Sequence, residues 1–173
     1  MKYDNKKIEE EFEKNFKEAK RVLTPLSFCE TIEVDKSLKG WVFEQTIAKC
    51  LLEELNSDIK IEQQYKFSSF EIQDGKKSRG SADLAIDYNG RKFLVEIKFS
   101  GIFSGRDTEK YEKYQELIKK QDNGFRYLYL SKRETHEPYA EKCRNVFGKE
   151  NVFLLDNVKG DWERFIKSII TTK

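Results

Sequence analysis

The chain is 173 residues long, enough to bury a core as one domain and too short to argue for two. Hydrophobic residues at 38% and aromatics at 13% exclude a disordered chain, although 37% of residues are charged. With 33 basic and 31 acidic residues the net charge is only +2, so any phosphate-binding surface must come from local clustering. Cys29, Cys50 and Cys143 are far apart and His136 has no ligand neighbours at zinc spacing, which argues against a zinc site or a disulfide framework. No stretch approaches the roughly 18 apolar residues of a membrane span, and the charged N-terminus lacks a signal-like apolar run. A cytoplasmic, reducing location without a membrane partner is expected.

Ile8, Phe12, Phe16, Ala19 and Leu23 recur at helical spacing between Asn5 and Leu23, with Pro25 closing the segment. After Gly40, the segment WVFEQTIAKCLLEEL carries a second helical stripe of Ile47, Ala48, Leu51, Leu52 and Leu55. From Ile61 the period changes to two, and Ile61, Gln63, Tyr65 and Phe67 are expected on one face of a strand reaching about Phe70. The polar run DGKKSRGS reads as a loop. ADLAIDY and RKFLVEIKF then flank Asn89-Gly90, a strong hairpin signal because both turn positions tolerate positive φ. A helix from Asp107 to Gln121, a strand FRYLYLS, a helix from Tyr139 to Phe147, a strand at Val152 to Leu155 and a last helix from Asp161 complete the chain. A hairpin followed by β-α-β crossovers predicts an α/β fold, a central mixed β-sheet flanked by helices.

A two-residue turn at Asn89-Gly90 sets Tyr88 opposite Arg91, Ile86 opposite Phe93 and Asp83 opposite Glu96. Alternation puts Asp83, Glu96 and Lys98 on one face, and Leu84, Ile86, Phe93, Val95 and Ile97 on the other. The first face is expected to be charged and the second to be core. Two opposed carboxylates destabilise a sheet unless a cation joins them. Mg²⁺ suits such a pair because it takes oxygen ligands and keeps waters that leave room for a phosphate oxygen and a nucleophile, with Mn²⁺ as a substitute. Lys98 adds positive charge where anionic charge would develop. Glu44 falls on the apolar stripe of the second helix, where a carboxylate needs a partner that the metal cluster supplies.

Asp83, followed after twelve residues by Glu96-Ile97-Lys98 in an apolar strand, resembles the PD-(D/E)XK nuclease superfamily, and Glu44 resembles its additional helical acid. The resemblance runs in motif order from about Gly40 to Leu130. It implies a restriction-endonuclease-like core, a Mg²⁺-dependent hydrolase acting on DNA, Asp83 and Glu96 as metal ligands with Ile97 in the same set, and Lys98 as the catalytic lysine. It makes the chain, 1–173, one nuclease-like domain with 1–24 an N-terminal helical extension. Ala82 stands where the signature has proline, and Tyr111 precedes Gln115 where some exonuclease subfamilies have glutamine before tyrosine.

Acid-X-lysine triplets also occur at Glu18-Ala19-Lys20, Asp58-Ile59-Lys60 and Asp74-Gly75-Lys76, so the triplet gains meaning only from its place in a hairpin strand opposite Asp83. Lys76, Lys77 and Arg79 precede Asp83 and are candidates for phosphate contacts, as are Ser100, Arg106 and Gln115, with Ser100 and Arg106 in a Gly-punctuated connection. Tyr111, Tyr114, Tyr127 and Tyr129 read as core, and Cys50 as a small buried hydrophobe. A DNA endonuclease of restriction or defence type is expected, which needs a homodimer or sequential nicking to cut both strands. The alternative is a non-catalytic nucleic-acid-binding subunit of a larger DNA-processing complex.

Overall fold

The computed structural model describes residues 1–23, 32–71, 77–101, 105–120, 124–134 and 137–171, with the backbone alone described at 32–35, 57, 67–71, 77–79, 105 and 134. In chain order the elements are α1 (Asn5–Leu23), α2 (Ile32–Leu55), β1 (Ile59–Glu71), β2 (Lys77–Tyr88), β3 (Arg91–Gly101), α3 (Gly105–Lys120), β4 (Phe125–Glu134), α4 (Glu137–Phe147), β5 (Val152–Leu154) and α5 (Asp161–Ile170). The strands form one sheet in the order β1-β2-β3-β4-β5. The first two pairings are antiparallel and the last two parallel, so the fold is α/β with a five-stranded mixed sheet.

Helices cover both faces. Leu84, Ile86, Phe93, Val95 and Ile97 meet Ile8 and Phe12 of α1, Phe43, Ile47 and Leu51 of α2, and Trp162, Phe165 and Ile166 of α5. The opposite face, expected to be charged, carries a second core in which Ala85 and Leu94 pack with Tyr111, Tyr114, Tyr127, Tyr129, Cys143 and Phe147 beneath α3 and α4. Parallel strands need crossover helices, and those helices cover the face that the hairpin alone would leave to solvent. Asn5 joins the two chain ends: its side chain donates to the carbonyls of Leu155 (2.6 Å) and Val158 (2.9 Å) and accepts from the Trp162 amide in the first turn of α5 (2.9 Å).

The Asn89-Gly90 turn forms with φ values of 53° and 80°, and the Gly90 amide donates to Asp87 Oδ1 at 2.9 Å. Two boundaries and one strand face differ from expectation. α2 begins at Ile32 and not after Gly40, because a single glycine costs a helix little when the flanking turns are anchored by packing. β2 begins at Lys77, so Lys77 and Arg79 are strand residues paired with Glu71 and Ser69, while Lys76 lies outside the described residues. Ile61 and Tyr65 do not share a face: Ile61 packs against the α1/α2/α5 core and Tyr65 against the α3/α4 core. Gln64, between them, has φ 52° and is left out of the ladder opposite Asp83, although Gln63 pairs with Leu84 and Tyr65 with Ala82. This break rolls both strands over at one point, and Ala82 joins the α3/α4 core together with Tyr65.

Candidate active site

Asp83 sits at that break. The β2–β3 ladder runs from Tyr88 opposite Arg91 to Leu84 opposite Val95 in the expected register and is not continued to Asp83 and Glu96. In its place the Asp83 carboxylate accepts a hydrogen bond from the Ile97 amide at 2.7 Å. A side-chain oxygen takes over the role of a backbone carbonyl, and the strands part where the two acids stand. Across the sheet, β3 turns to β4 in parallel register, with Glu96 opposite Tyr129 and Lys98 opposite Ser131.

Glu96 is 2% exposed and is held from several directions. Its Oε1 accepts from the Tyr111 hydroxyl (2.5 Å) and from Lys98 Nζ (2.5 Å), and its Oε2 from the Tyr127 hydroxyl (3.3 Å). Lys98 Nζ is also 3.9 Å from Asp83, and Lys110 Nζ is 3.9 Å from Glu96. The tyrosines are core residues, as read from sequence, with Tyr111 and Tyr129 each 1% exposed; two of them also aim hydroxyls at the buried acid, which offsets the cost of burying it. Glu44 reaches the same end of the sheet from α2. It is half-buried, and its Oε2 accepts from Gln64 Nε2 at 3.1 Å.

The electrostatics are those of crowded acids. Burial, with Asp83 next, pushes the Glu44 carboxyl up to about 7. Burial followed by Glu96 pushes Asp83 up to about 6, against the opposing pull of Lys98. Burial works against the Lys98 ammonium, but Glu96 and Asp83 outweigh it and hold the group above its ordinary value. Burial and Glu96 keep the Tyr111 and Tyr127 phenols protonated far above their usual range, so both stay hydrogen-bond donors.

Among the described residues, no three acidic, histidine or cysteine side chains converge closely enough to hold a metal ion. Lys98 occupies the space between Asp83 and Glu96. The donor chemistry nonetheless fits a hard divalent cation: carboxylate oxygens only, with acids whose raised pKa values reflect burial and mutual repulsion that a cation would relieve. Asp83, Glu96 and Glu44 are the side chains that would hold it, with the Ile97 amide engaged by Asp83.

The other candidates are scattered. Ser100 and Arg106 are exposed, in β3 and in the first turn of α3. Gln115 donates to the Val146 carbonyl and ties α3 to α4. The side chains of Lys77 and Arg79 lie outside the described residues. Sequence reasoning missed Gln64 and Lys110, and it gave Tyr111 and Tyr127 no polar role. Their signals were faint: a glutamine in a strand, a lysine on a charged helix, tyrosines at core spacing.

No protein-family model matches this chain, and no curated protein matches it in sequence. Solved structures do. The Bse634I restriction endonuclease superposes with a TM-score of 0.51 at 13% identity, covering 95% of this chain and 86% of that one. Protein VC1899 from Vibrio cholerae superposes with a TM-score of 0.55 at 14% identity over 82% of this chain. The chain spans just 37% of the length of VC1899. At these identities the likeness defines the fold, which is restriction-endonuclease-like. Among the described residues, no helix is long and apolar enough to cross a membrane.

Proposed function

We propose that this chain is a divalent-cation-dependent nuclease that hydrolyses phosphodiester bonds in DNA, most simply as an endonuclease of restriction or defence type. The observation that carries the reading is the meeting of Asp83, Glu96 and Lys98 where β2 and β3 part, with the Asp83 carboxylate on the Ile97 amide. A fold hosts many activities, so this reading rests on the site and not on the fold.

Asp83 and Glu96 would hold Mg²⁺ or Mn²⁺, with Glu44 and the Ile97 carbonyl completing the set. When bound, the cation supplies Lewis-acid polarisation of the phosphate and a water of lowered pKa. The chain's own residues do the rest. Tyr111 and Tyr127 fix the Glu96 carboxylate, and Gln64 fixes Glu44. Lys98 remains protonated and offers its ammonium to the charge that builds on the phosphate oxygens in the transition state. Its ammonium lies between Glu96 and Asp83, 2.5 Å from the first and 3.9 Å from the second, which places it beside the carboxylates that would hold the cation.

The test is cleavage of supercoiled plasmid, single-stranded DNA and RNA with Mg²⁺, Mn²⁺ or EDTA, wild type beside Lys98→Ala. Metal-dependent cutting that falls about 100-fold or more in the variant is expected for loss of a group acting mainly in the transition state. Cutting that survives the substitution would remove Lys98 from the mechanism. One observation favours a second reading, a non-catalytic nucleic-acid-binding subunit: the Lys98 ammonium lies against both Glu96 and Asp83. Nucleic acid bound equally well in EDTA and in Mg²⁺, with no cutting, would decide for it.

A further inference from the structure

Immediately beyond the acids a groove of about 590 Å³ opens between the first half of α2 and the ends of β3 and β4, lined by Lys36, Lys39, Gly40, Phe99, Ser100 and Arg133. Two elements lead into it from the site. On α2, Lys36, Gly40 and Glu44 recur every four residues, so they run along one side of the helix at about 6 Å per step. On β3, Ser100 lies two residues past Lys98 on the same face, about 7 Å away, and it pairs across the ladder with Arg133 just as Lys98 pairs with Ser131. Among the described residues the lining holds three cations and no carboxylate. Phe99 forms part of the floor, its ring packed against Phe12 and Phe43. Lys36 and Arg133 are exposed, while the half-buried Lys39 rests its ammonium 5.5 Å from the Phe16 ring centre.

Gly40 adds an independent observation. Glycine inside a helix is destabilising relative to alanine, and a Cβ built at Gly40 would meet nothing within 4 Å. Packing within the fold therefore does not require this glycine. Its bare backbone keeps the groove wall open at the step between Lys36 and Glu44.

We propose that this groove binds the backbone of the nucleic-acid strand to one side of the scissile phosphate, with Lys36, Lys39 and Arg133 contacting successive phosphates and Gly40 giving the strand room to pass α2. The inference rests on the nuclease reading and adds the path of the substrate. A run of phosphates is the chemistry that three spaced cations along one groove select, and the contacts position the strand without reading its sequence.

The experiment is fluorescence anisotropy of labelled duplex DNA, single-stranded DNA and RNA over a range of salt concentrations, in EDTA so that cutting does not intervene. The variants are Lys36→Ala/Lys39→Ala/Arg133→Ala together, Gly40→Glu and Gly40→Lys, with a control triple of Lys119→Ala/Lys142→Ala/Lys149→Ala from the α3/α4 side, and circular dichroism to verify folding. Each phosphate contact contributes about 0.9 to the slope of log affinity against log salt on duplex DNA, so the groove triple should flatten the slope by about 2 to 3 units. The control triple should leave it unchanged. Gly40→Glu should weaken binding at least tenfold, and Gly40→Lys should weaken it by less, because its bulk narrows the strand's path while its charge suits the phosphates. If wild type binds and cuts but the two triples behave alike, the groove is not the strand's path and the nuclease reading stands. If wild type neither binds nor cuts any of the three, the nuclease reading falls and takes the groove with it.

Discussion

Glu96 shows how much of this site depends on single polar atoms. A carboxylate that is 2% exposed is tolerable because two phenols and a lysine donate to it. Tyr111→Phe keeps the ring and deletes one donor, and a hydrogen bond to a charged acceptor is worth about 1.5–3 kcal/mol. Urea unfolding should show a loss of that size with an unchanged m-value, and cleavage should fall because Glu96 is less firmly held. The neighbouring acids make a second prediction. Folding raises Glu44 from 4.5 to about 7 and Asp83 from 3.8 to about 6, first through burial and then through the charge of Asp83 on Glu44 and of Glu96 on Asp83. Such groups take up protons on folding between their unfolded and folded values, so stability declines as pH rises through that window. In EDTA the melting temperature should therefore drop as pH rises from about 5 to about 7, and Asp83→Asn should shrink the drop. A melting temperature that rises over that range would refute the crowded-acid picture.

At the scale of elements, the hairpin and its break set the geometry. The Asn89-Gly90 turn fixes the register as far as Leu84 opposite Val95, and beyond it the Asp83 carboxylate takes the Ile97 amide. Gly90 has φ 80° with nothing within 4 Å of a built Cβ, so Gly90→Ala carries a conformational cost alone, about 1–2 kcal/mol, to be read from denaturant midpoints. The break at Gln64 and Asp83 has the opposite effect, ending the β2–β3 ladder and freeing an acid from the sheet. Strand periodicity anticipated the hairpin but not this break, because positive φ at Gln64 comes from tertiary packing and the side chain itself shows no preference for it. The helical stripe placed Glu44 beside the core in the same way that it placed Ile47 and Leu51. What it missed was the earlier start of α2, and with it the turn that brings Lys36 and Lys39 to the groove.

For the molecule as a whole, the two faces of the sheet divide the work. The α1/α2/α5 side is an apolar core, and the α3/α4 side is a tyrosine-rich core with two hydroxyls directed at Glu96. Both layers meet the site at one end of the sheet. A cation bound there by the folded chain alone would stabilise the whole fold by mass action, about 2.7 kcal/mol at a hundredfold excess over the dissociation constant. Titration with Mg²⁺ at neutral pH should raise the melting temperature, and Glu96→Ala should abolish the response while remaining folded. A response that persists in Glu96→Ala would move the cation site elsewhere.

The sequence by itself determined the element order, the mixed sheet and the hairpin register from Tyr88 opposite Arg91 to Leu84 opposite Val95, because helical and strand periods and a two-residue turn are local and repeat along the chain. It also marked Tyr111 and Tyr127 as core from their spacing. Tertiary structure alone decided the points at which distant segments meet. It turned those phenols onto Glu96, broke the ladder at Gln64 and Asp83, gave Gln115 to the Val146 carbonyl, and set Lys36, Lys39 and Arg133 around one groove. Each of these joins residues with no periodic relation in sequence, and only packing of the helices on the two sheet faces brings them together.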